Sequence, residues 1–136
     1  MWRNRLRVAL CAGVLAGAAI VGPATPAAAA TPQCAIIGTF VAMYVPAAAN
    51  GSHTCVMGQG AVSPAVAILQ ATMNFCHGQS VTVDGVFGPK TRAALVTVQR
   101  NVGAVPDGEY GPETFGKMAR TGGFISTLGG FCVILL

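Results

Sequence analysis

The stretch that decides the fold is "VDGVFGPKTRAAL", residues 83–95, which the chain repeats in nearly the same letters as "PDGEYGPETFGKM", residues 106–118. Each copy has an Asp-Gly pair, then an aromatic residue two positions after the glycine, then Gly-Pro, and a threonine two positions after the proline. The second copy follows the first after 23 residues. This repetition predicts one structural unit that the chain uses twice.

Each repeated position has a local mechanical role. Aspartate bonds the backbone two residues on and glycine adopts a positive φ at little cost, so Asp84-Gly85 and Asp107-Gly108 are predicted to be turns. The aromatic residues Phe87 and Tyr110 are large apolar anchors for these turns. Gly-Pro then begins a helix, because glycine is tolerated as N-cap and proline fits the first helical position. The threonine hydroxyl that follows is expected to bond a free backbone N–H of the first turn.

Three helices are predicted around the repeated phrases. The first begins at Ser63-Pro64, with serine as the N-cap and proline in the first turn. The second covers residues 89–102 and stops at Gly103, and a shorter third helix starts at Pro112 and ends at Gly122-Gly123. Apolar residues with the helical period predict the buried faces. These are Val62, Val66, Leu69, Met73 and Cys76 in the first helix, Ala94, Leu95, Val98 and Val102 in the second, and Phe115 and Met118 in the third.

Residues 1–30 predict a secretory signal peptide. A basic start with Arg3, Arg5 and Arg7 precedes the apolar run "VALCAGVLAGAAIV", and small residues lead to a predicted cleavage point after Ala30. The apolar run is too short for a membrane span. Without this segment the chain keeps five basic and four acidic side chains, a net charge of +1. That balance leaves no basic surface for nucleic acid.

The rest of the chain is long enough for one small domain. We divide it into an N-terminal strand-and-turn extension (31–59), a three-helix domain (60–121) and a C-terminal strand extension (122–136). The N-terminal extension is rich in β-branched and aromatic residues and predicts one or two short strands, with breaks at Pro46 and at Asn50-Gly51.

The C-terminal extension, "GGFISTLGGFCVILL", also has the composition of a strand around a Gly-Gly turn. We expect it to pair with residues 36–45. The alternative for this apolar end of the chain is a surface that contacts a partner.

The number of cysteines predicts a fold that disulfides stabilise. Four cysteines follow the signal peptide: Cys34, Cys55, Cys76 and Cys132. An even number in a short exported chain predicts two disulfides, for which three pairings are possible. We expect Cys34–Cys132 to tie the two ends together and Cys55–Cys76 to span the first helix.

The order of the motifs carries a family resemblance. "ILQ" at 68–70 precedes the first Asp-Gly phrase, "VQR" at 98–100 precedes a glycine, and the second phrase follows at 107–114. In this order and spacing, residues 65–118 resemble a peptidoglycan-binding-domain-like module. Val98 and Met118 stand where the family usually has phenylalanine and leucine, and such apolar exchanges are expected to repack.

The resemblance implies a three-helix module that adheres to cell-wall peptidoglycan. With the flanks added, the predicted fold class is mainly α: a compact three-helix bundle with Asp-Gly turns, plus short terminal β-strands stapled by disulfides. The predicted function is that of a secreted protein without cofactor or metal. Its expected partners are the glycan strands and stem peptides of peptidoglycan, and a wall-acting enzyme.

Peptidoglycan offers sugar rings, amides and free carboxylates, which directs the choice of ligand-binding residues. Arg92 and Arg100 are predicted to grip a carboxylate, since a guanidinium can do so bidentately; the alternative for both is a solvated helix face. Tyr110 has a hydroxyl that its counterpart in the first copy lacks, so it is expected to present a polar edge. Asp84 and Asp107 complete the set, in a shallow groove between the Asp-Gly turns and the second helix.

The sequence predicts no catalytic function. The flanking extensions are too short for a catalytic domain, and turn geometry explains the aspartates better than a paired-carboxylate mechanism does. His53 and His77 lie next to cysteines, but their spacing differs from that of zinc sites, and an exported chain favours disulfides. The main alternative is a secreted interaction, inhibitor or escort protein that acts through the apolar "FCVILL" at the C-terminus. A small hydrolase with an unrecognised site is the third hypothesis.

Overall fold

The computed structural model describes residues 29–136, which contain three helices and four short strands. In chain order they are β1 (Cys34–Phe40), β2 (Met43–Ala48), α1 (Pro64–His77), α2 (Pro89–Val102), α3 (Pro112–Arg120), β3 (Phe124–Ile125) and β4 (Cys132–Val133). The predicted helices and terminal strands are confirmed, but the fold is mixed rather than mainly α, with 34% helix and 22% strand. The predicted signal peptide lies outside the described residues except for Ala29 and Ala30.

The N-terminal extension forms an antiparallel hairpin of β1 and β2. Its two-residue loop, Val41-Ala42, has positive φ at both positions (45° and 59°), as a type I′ hairpin turn requires. The predicted break at Asn50-Gly51 is a turn, with Gly51 at φ 83°. The predicted break at Pro46 is wrong, because Pro46 lies inside β2. A two-stranded sheet has only edge strands, where a residue without an N–H is tolerated.

The three helices begin where the sequence predicts; α2 ends before Gly103 as predicted, and α3 ends at Arg120, two residues before the predicted Gly122-Gly123. The hydroxyl of Ser63 accepts a hydrogen bond from the backbone N–H of Val66 and caps α1. Gly78 and Gly103 close α1 and α2 in the left-handed conformation that favours glycine. Val62 is 72% exposed and lies outside the buried face of α1, because it precedes the helix. Among residues 29–136, no helix combines the length and the apolar character that a membrane crossing requires.

The C-terminal segment folds back on itself. β3 and β4 pair antiparallel with each other, so the predicted pairing with residues 36–45 is wrong apart from a bridge between Met43 and Ser126. The backbone N–H of Leu135 donates to the carbonyl of Ala119 at 2.7 Å, which holds the end of the chain against α3. A Gly-Gly turn allows this short hairpin, and a two-residue pairing leaves no strand long enough to extend the N-terminal sheet.

A single hydrophobic core joins the hairpin to the helices. Its apolar members come from both extensions, from all three helices and from the first loop, and they include Met43, Val45, Met57, Leu69, Met73, Phe87, Leu95, Val98, Met118 and Phe124. The strands of the extensions therefore supply part of the apolar surface that the helices bury. A chain of this size has little core to spare, so this contribution matters for its stability.

The disulfides join Cys34 to Cys55 and Cys76 to Cys132. The predicted pairs, Cys34–Cys132 and Cys55–Cys76, are wrong. The chain returns after the hairpin and Cys34 donates its backbone N–H to the carbonyl of Val56 at 2.9 Å, which brings Cys34 beside Cys55. Helix α1 then carries Cys76 roughly 18 Å from the helix start, to the end where β4 packs.

Removal of the two bridges is expected to destabilise the protein unequally. Alanine at both cysteines should lower the free energy of unfolding by about 4 kcal/mol for Cys76–Cys132 and about 3 kcal/mol for Cys34–Cys55. The difference arises because the bridges close loops with sequence separations of 56 and 21 residues. Urea unfolding of the two double variants measures both losses. Peptide mapping without reduction tests the pairing directly, and a Cys34–Cys132 peptide would contradict it.

Candidate functional site at the duplicated loops

A buried glutamine of α1 organises the first loop. The side-chain nitrogen Nε2 of Gln70 lies 3.0 Å from each of three acceptors: Oδ1 of Asp84, the carbonyl of Val86 and Oγ1 of Thr91. Its Oε1 accepts hydrogen bonds from the backbone N–H groups of Asp84 and Gly85 at 3.1 and 2.9 Å. One amide therefore fixes the turn and the start of α2 together.

A glutamine of α2 repeats the arrangement in the second loop. Nε2 of Gln99 lies 2.9 Å from Oδ1 of Asp107, 2.9 Å from the carbonyl of Glu109 and 3.0 Å from Oγ1 of Thr114. Its Oε1 accepts from the backbone N–H of Gly108 at 2.9 Å. The repeated phrase is thus one half of a unit whose other half is a glutamine on the preceding helix.

The sequence did not lead us to predict a structural role for the two glutamines. Gln70 and Gln99 are 1% and 0% exposed, and a buried amide requires hydrogen-bond partners. Their positions inside otherwise apolar helix faces are the signal that could have identified them. The expected role of the threonines is also corrected: the hydroxyls of Thr91 and Thr114 face the glutamine amides rather than free N–H groups of the first helical turn.

The aspartates and glycines of the two loops adopt equivalent conformations. Oδ1 of Asp84 accepts from the N–H of Val86, and Oδ1 of Asp107 from the N–H of Glu109, each at 2.9 Å. Gly85 and its counterpart Gly108 have φ of 74° and 76°. The hydrogen bond from Val86, followed by that from Gln70, lowers the pKa of Asp84 below its ordinary value. Both aspartate side chains are exposed.

The aromatic residues of the two loops point inward. Phe87 is 1% exposed and Tyr110 is 0% exposed. The predicted ligand contact of Tyr110 is therefore not available at the surface of this structure. Its hydroxyl is buried and has no hydrogen-bond partner among the described residues. Burial also raises the pKa of Tyr110 well above its ordinary value of 10.0.

One connecting segment, residues 57–61, holds both loops side by side. The N–H and the carbonyl of Met57 exchange hydrogen bonds with Tyr110 at 2.9 and 2.8 Å. Four residues later, the carbonyl of Ala61 accepts from the N–H of Phe87 at 2.8 Å. The two loops therefore belong to one rigid surface rather than to two independent turns.

Two surface depressions border the first loop, and Asp84 lines both. The first has a volume of about 360 Å³ and lies between the loop and the start of α2. Its lining combines aliphatic, hydroxyl and charged groups: Val81, Thr82, Asp84, Val86, Gly88, Pro89, Lys90 and Thr91. The second lies between the loop and the start of α1 and includes Ser63, Pro64 and Ala67. Lys90 is thus a candidate that the sequence analysis missed.

The predicted arginines have different surroundings. Arg92 donates from a guanidinium nitrogen to the carbonyl of Asp107 at 2.7 Å, and its side chain lies over Gly108. Arg100 is exposed in the last turn of α2. The structure therefore brings Arg92 and Asp107 together at the second loop and leaves Asp84 apart at the first.

The histidines contact backbone carbonyls. Nε2 of His53 lies 3.2 Å from the carbonyl of Thr39, and Nε2 of His77 lies 2.9 Å from that of Gly123. Burial lowers the pKa of His77, and the hydrogen bond with Gly123 opposes this effect. Within residues 29–136, no three histidine, cysteine or acidic side chains converge on a point that could hold a metal ion.

Comparison with known proteins finds a family model that matches the segment with both loops. The sequence model described as "Putative peptidoglycan binding domain" matches residues 62–118. Residues 62–118 form a peptidoglycan-binding-domain-like module. The module contains both glutamines and both loops, and it ends at Met118. The hairpin, β3 and β4 lie outside it.

A solved structure resembles part of the chain. It is the 2.05 Å crystal structure of a peptidoglycan-binding protein from Clostridioides difficile in complex with glutamine hydroxamate. The two chains share 35% identity over 51% of the present chain, with a TM-score of 0.48. The match spans 43% of the length of that protein. Comparison with curated proteins gave no match.

Replacement of either buried glutamine is expected to destabilise the protein. Gln70→Ala and Gln99→Ala should each lower the free energy of unfolding by about 2–4 kcal/mol, because they leave loop N–H groups without partners and open a cavity. Gln59→Ala, at an exposed position, is the matched control and should change it by less than about 0.5 kcal/mol. Urea unfolding compares the three variants. Equal effects at all three positions would contradict the assigned role of the amides.

Tyr110→Phe is expected to stabilise the protein. The change removes a buried hydroxyl without a partner and should raise the free energy of unfolding by about 1 kcal/mol. The folded state keeps the proton on Tyr110 above pH 10, whereas the unfolded chain releases it. Stability that is present below pH 10 is therefore lost as the pH rises further, and the variant should lose less. Thermal unfolding between pH 8 and pH 11 tests both points, and a less stable variant would reveal a missed partner of the hydroxyl.

Proposed function

We propose that this protein is a secreted, non-catalytic protein that binds cell-wall peptidoglycan. The observation that carries the proposal is the family match over residues 62–118, which includes both glutamine-anchored loops. The proposed organisation keeps the signal peptide at 1–30, the three-helix domain at 60–121 and an extension on either side of that domain.

The surface around the first loop supports a binding role. It has open depressions on both sides of Asp84, and Lys90 adds a cation to the one at the start of α2. Peptidoglycan presents carboxylates, amides and amines to such a surface. We therefore assign ligand contact to Asp84 and Lys90. Arg92 is assigned to the second loop, where it bonds Asp107, while Arg100 remains a candidate partner for a carboxylate because it is exposed.

The proposal of secretion rests on two features. The first is the order of basic, apolar and small residues in the first thirty positions. The second is the pair of disulfides, which form and persist in oxidising compartments.

The proposal of a non-catalytic role rests on what the polar groups already do. Asp84 and Asp107 each use Oδ1 to bond a loop N–H and a glutamine amide. The cysteines that follow the signal peptide are joined in disulfides, which leaves no thiolate for nucleophilic attack. These roles are structural and account for the residues that first suggest chemistry.

Cosedimentation with purified insoluble cell wall tests the proposed function. The processed, disulfide-bonded protein is expected to pellet with the wall at low salt and to stay in solution when the wall has first been digested to soluble fragments. Arg100→Ala decides between the two candidate surfaces: unchanged pelleting supports ligand contact at the first loop, and reduced pelleting supports a carboxylate contact at Arg100. Protein that remains in the supernatant with intact wall would contradict wall binding.

The second candidate is a secreted interaction or escort protein, and one observation favours it. Leu128, Phe131 and Ile134 are 81%, 49% and 48% exposed in the C-terminal segment, which Cys132 fastens to α1. Exchange of these three side chains for serine removes the apolar surface and keeps the disulfide. Wall binding is expected to survive this change. A folded triple variant that no longer pellets would favour the C-terminal segment as the functional surface.

A further inference from the structure

The two loops can be compared position by position, because the chain contains both. Each loop has a frame, which consists of a helix glutamine and the aspartate, glycine and threonine that it bonds. The two frames are equivalent, since these three residues bond the corresponding glutamine in the same way. Their outward positions are not equivalent. The first loop has Val86 and Lys90 where the second has Glu109 and Glu113. Because the shared residues account for the fold, the differing residues are the ones free to serve a ligand.

The second loop is covered by the protein's own side chains. Arg92 lies over Gly108 and bonds the carbonyl of Asp107. The carboxylate of Glu109 lies against Gly58. At the first loop, the position that corresponds to Arg92 is Ser63, at the same offset before the helix glutamine. The short side chain of Ser63 leaves a depression open where arginine fills the second loop.

The depression between the first loop and the start of α2 is lined by side chains of both charges. Asp84 supplies a carboxylate and Lys90 an ammonium, and Val81, Val86 and Pro89 contribute aliphatic groups to the same lining. Asp84 binds the loop through Oδ1, and its other oxygen takes part in neither of those bonds. The volume of about 360 Å³ lies at the lower end of the range of small-molecule sites, roughly 300–1,000 Å³.

The same lining argues against a sugar as the group that enters. No aromatic side chain lines this depression; Phe87, the nearest in sequence, is buried beneath the loop. An anion and a cation in one small aliphatic site instead match a ligand that carries both charges close together. Such a ligand satisfies both side chains at once, through charge-assisted hydrogen bonds.

We propose that this depression binds a zwitterionic amino-acid end group, a carbon that carries both a free ammonium and a free carboxylate. Asp84 receives the ammonium, Lys90 donates to the carboxylate, and the aliphatic lining contacts the carbon chain. In a cell wall, this group is the side-chain end of a diamino acid in a stem peptide that has not been cross-linked there. The inference rests on the proposed function and specifies which part of the wall the protein contacts.

The hydrogen bonds of the first loop favour the charged form of Asp84. Hydrogen bonds from Val86 and Gln70 lower the pKa of Asp84. The carboxylate is therefore charged throughout the neutral range, where a ligand ammonium is charged as well. Gln70 also fixes Thr91 at the start of α2, next to Lys90. One buried amide thus holds the loop that carries the anion and the helix that carries the cation.

Calorimetric titration with defined stem peptides tests the inference. The probes are a tripeptide that ends in meso-diaminopimelate, the same peptide with the side-chain carboxylate amidated, the same peptide with the side-chain amine acetylated, and a tripeptide that ends in lysine. The first is expected to bind at least about tenfold more tightly than the other three, since each of these lacks one charge-assisted contact. Equal binding of the diaminopimelate and lysine peptides would overturn the inference.

Variants at equivalent positions of the two loops provide matched controls. Lys90→Gln and Asp84→Asn should each weaken binding of the first peptide about tenfold or more, and asparagine still offers an oxygen to the N–H of Val86. Glu113→Gln and Asp107→Asn make the same changes of group in the second loop and should leave the affinity unchanged. Thermal unfolding verifies that each variant is folded; if Asp84→Asn is not, Lys90→Gln decides alone. Loss of affinity in the second-loop variants and not in the first would also overturn the inference.

Cosedimentation separates failure of this inference from failure of the proposed function. Walls with diaminopimelate stems are expected to retain the protein, and walls with lysine stems to retain at least about tenfold less. Equal retention by both walls overturns the zwitterion site and leaves wall binding in place. Retention by neither wall overturns both.

Discussion

The fold depends on a buried side-chain amide that must be satisfied. Burial of an amide without hydrogen-bond partners costs free energy, and this cost exceeds the net stabilisation that a typical hydrogen bond contributes. Gln70 and Gln99 meet this requirement by binding the loop that follows their own helix and the threonine that opens the next helix. Each glutamine therefore couples helix, turn and helix in one step, and the order of the module follows from using this coupling twice.

Comparison of the two loops separates the residues that hold the fold from the positions that can vary. Because the glutamine, aspartate, glycine and threonine fix both loops, the positions between them can vary without loss of the turn. The first loop uses this freedom for an open, mixed-charge surface with Asp84 and Lys90. The second is closed by Arg92, which lies over Gly108 and bonds its neighbour Asp107. The same geometry thus carries the proposed ligand contact at one loop and packing at the other.

The parts outside the module stabilise it and differ from it in character. Every Asp, Glu, Lys and Arg of residues 29–136 lies between Asp84 and Arg120, so the hairpin and the C-terminal segment carry none of these side chains. They contribute apolar core and the two disulfides instead. The charged surface is confined to the loops, α2 and α3, which is where the proposed ligand contacts lie.

Local chemistry in the sequence was enough to predict the three helices, their N-terminal caps and the buried anchor Phe87, because capping, helical period and turn propensity act over a few residues. The sequence did not predict the hairpin turn at Val41-Ala42, which lacks the usual Asn-Gly signal. It also could not select the disulfide pairs or the partners of the glutamines, since these depend on which distant segments meet. Only the tertiary structure decided that Tyr110 is buried, that Arg92 lies over the second loop and that Lys90 and Asp84 line the same depression. A side chain's exposure and neighbours are properties of the packed core and not of the residues next to it in the chain.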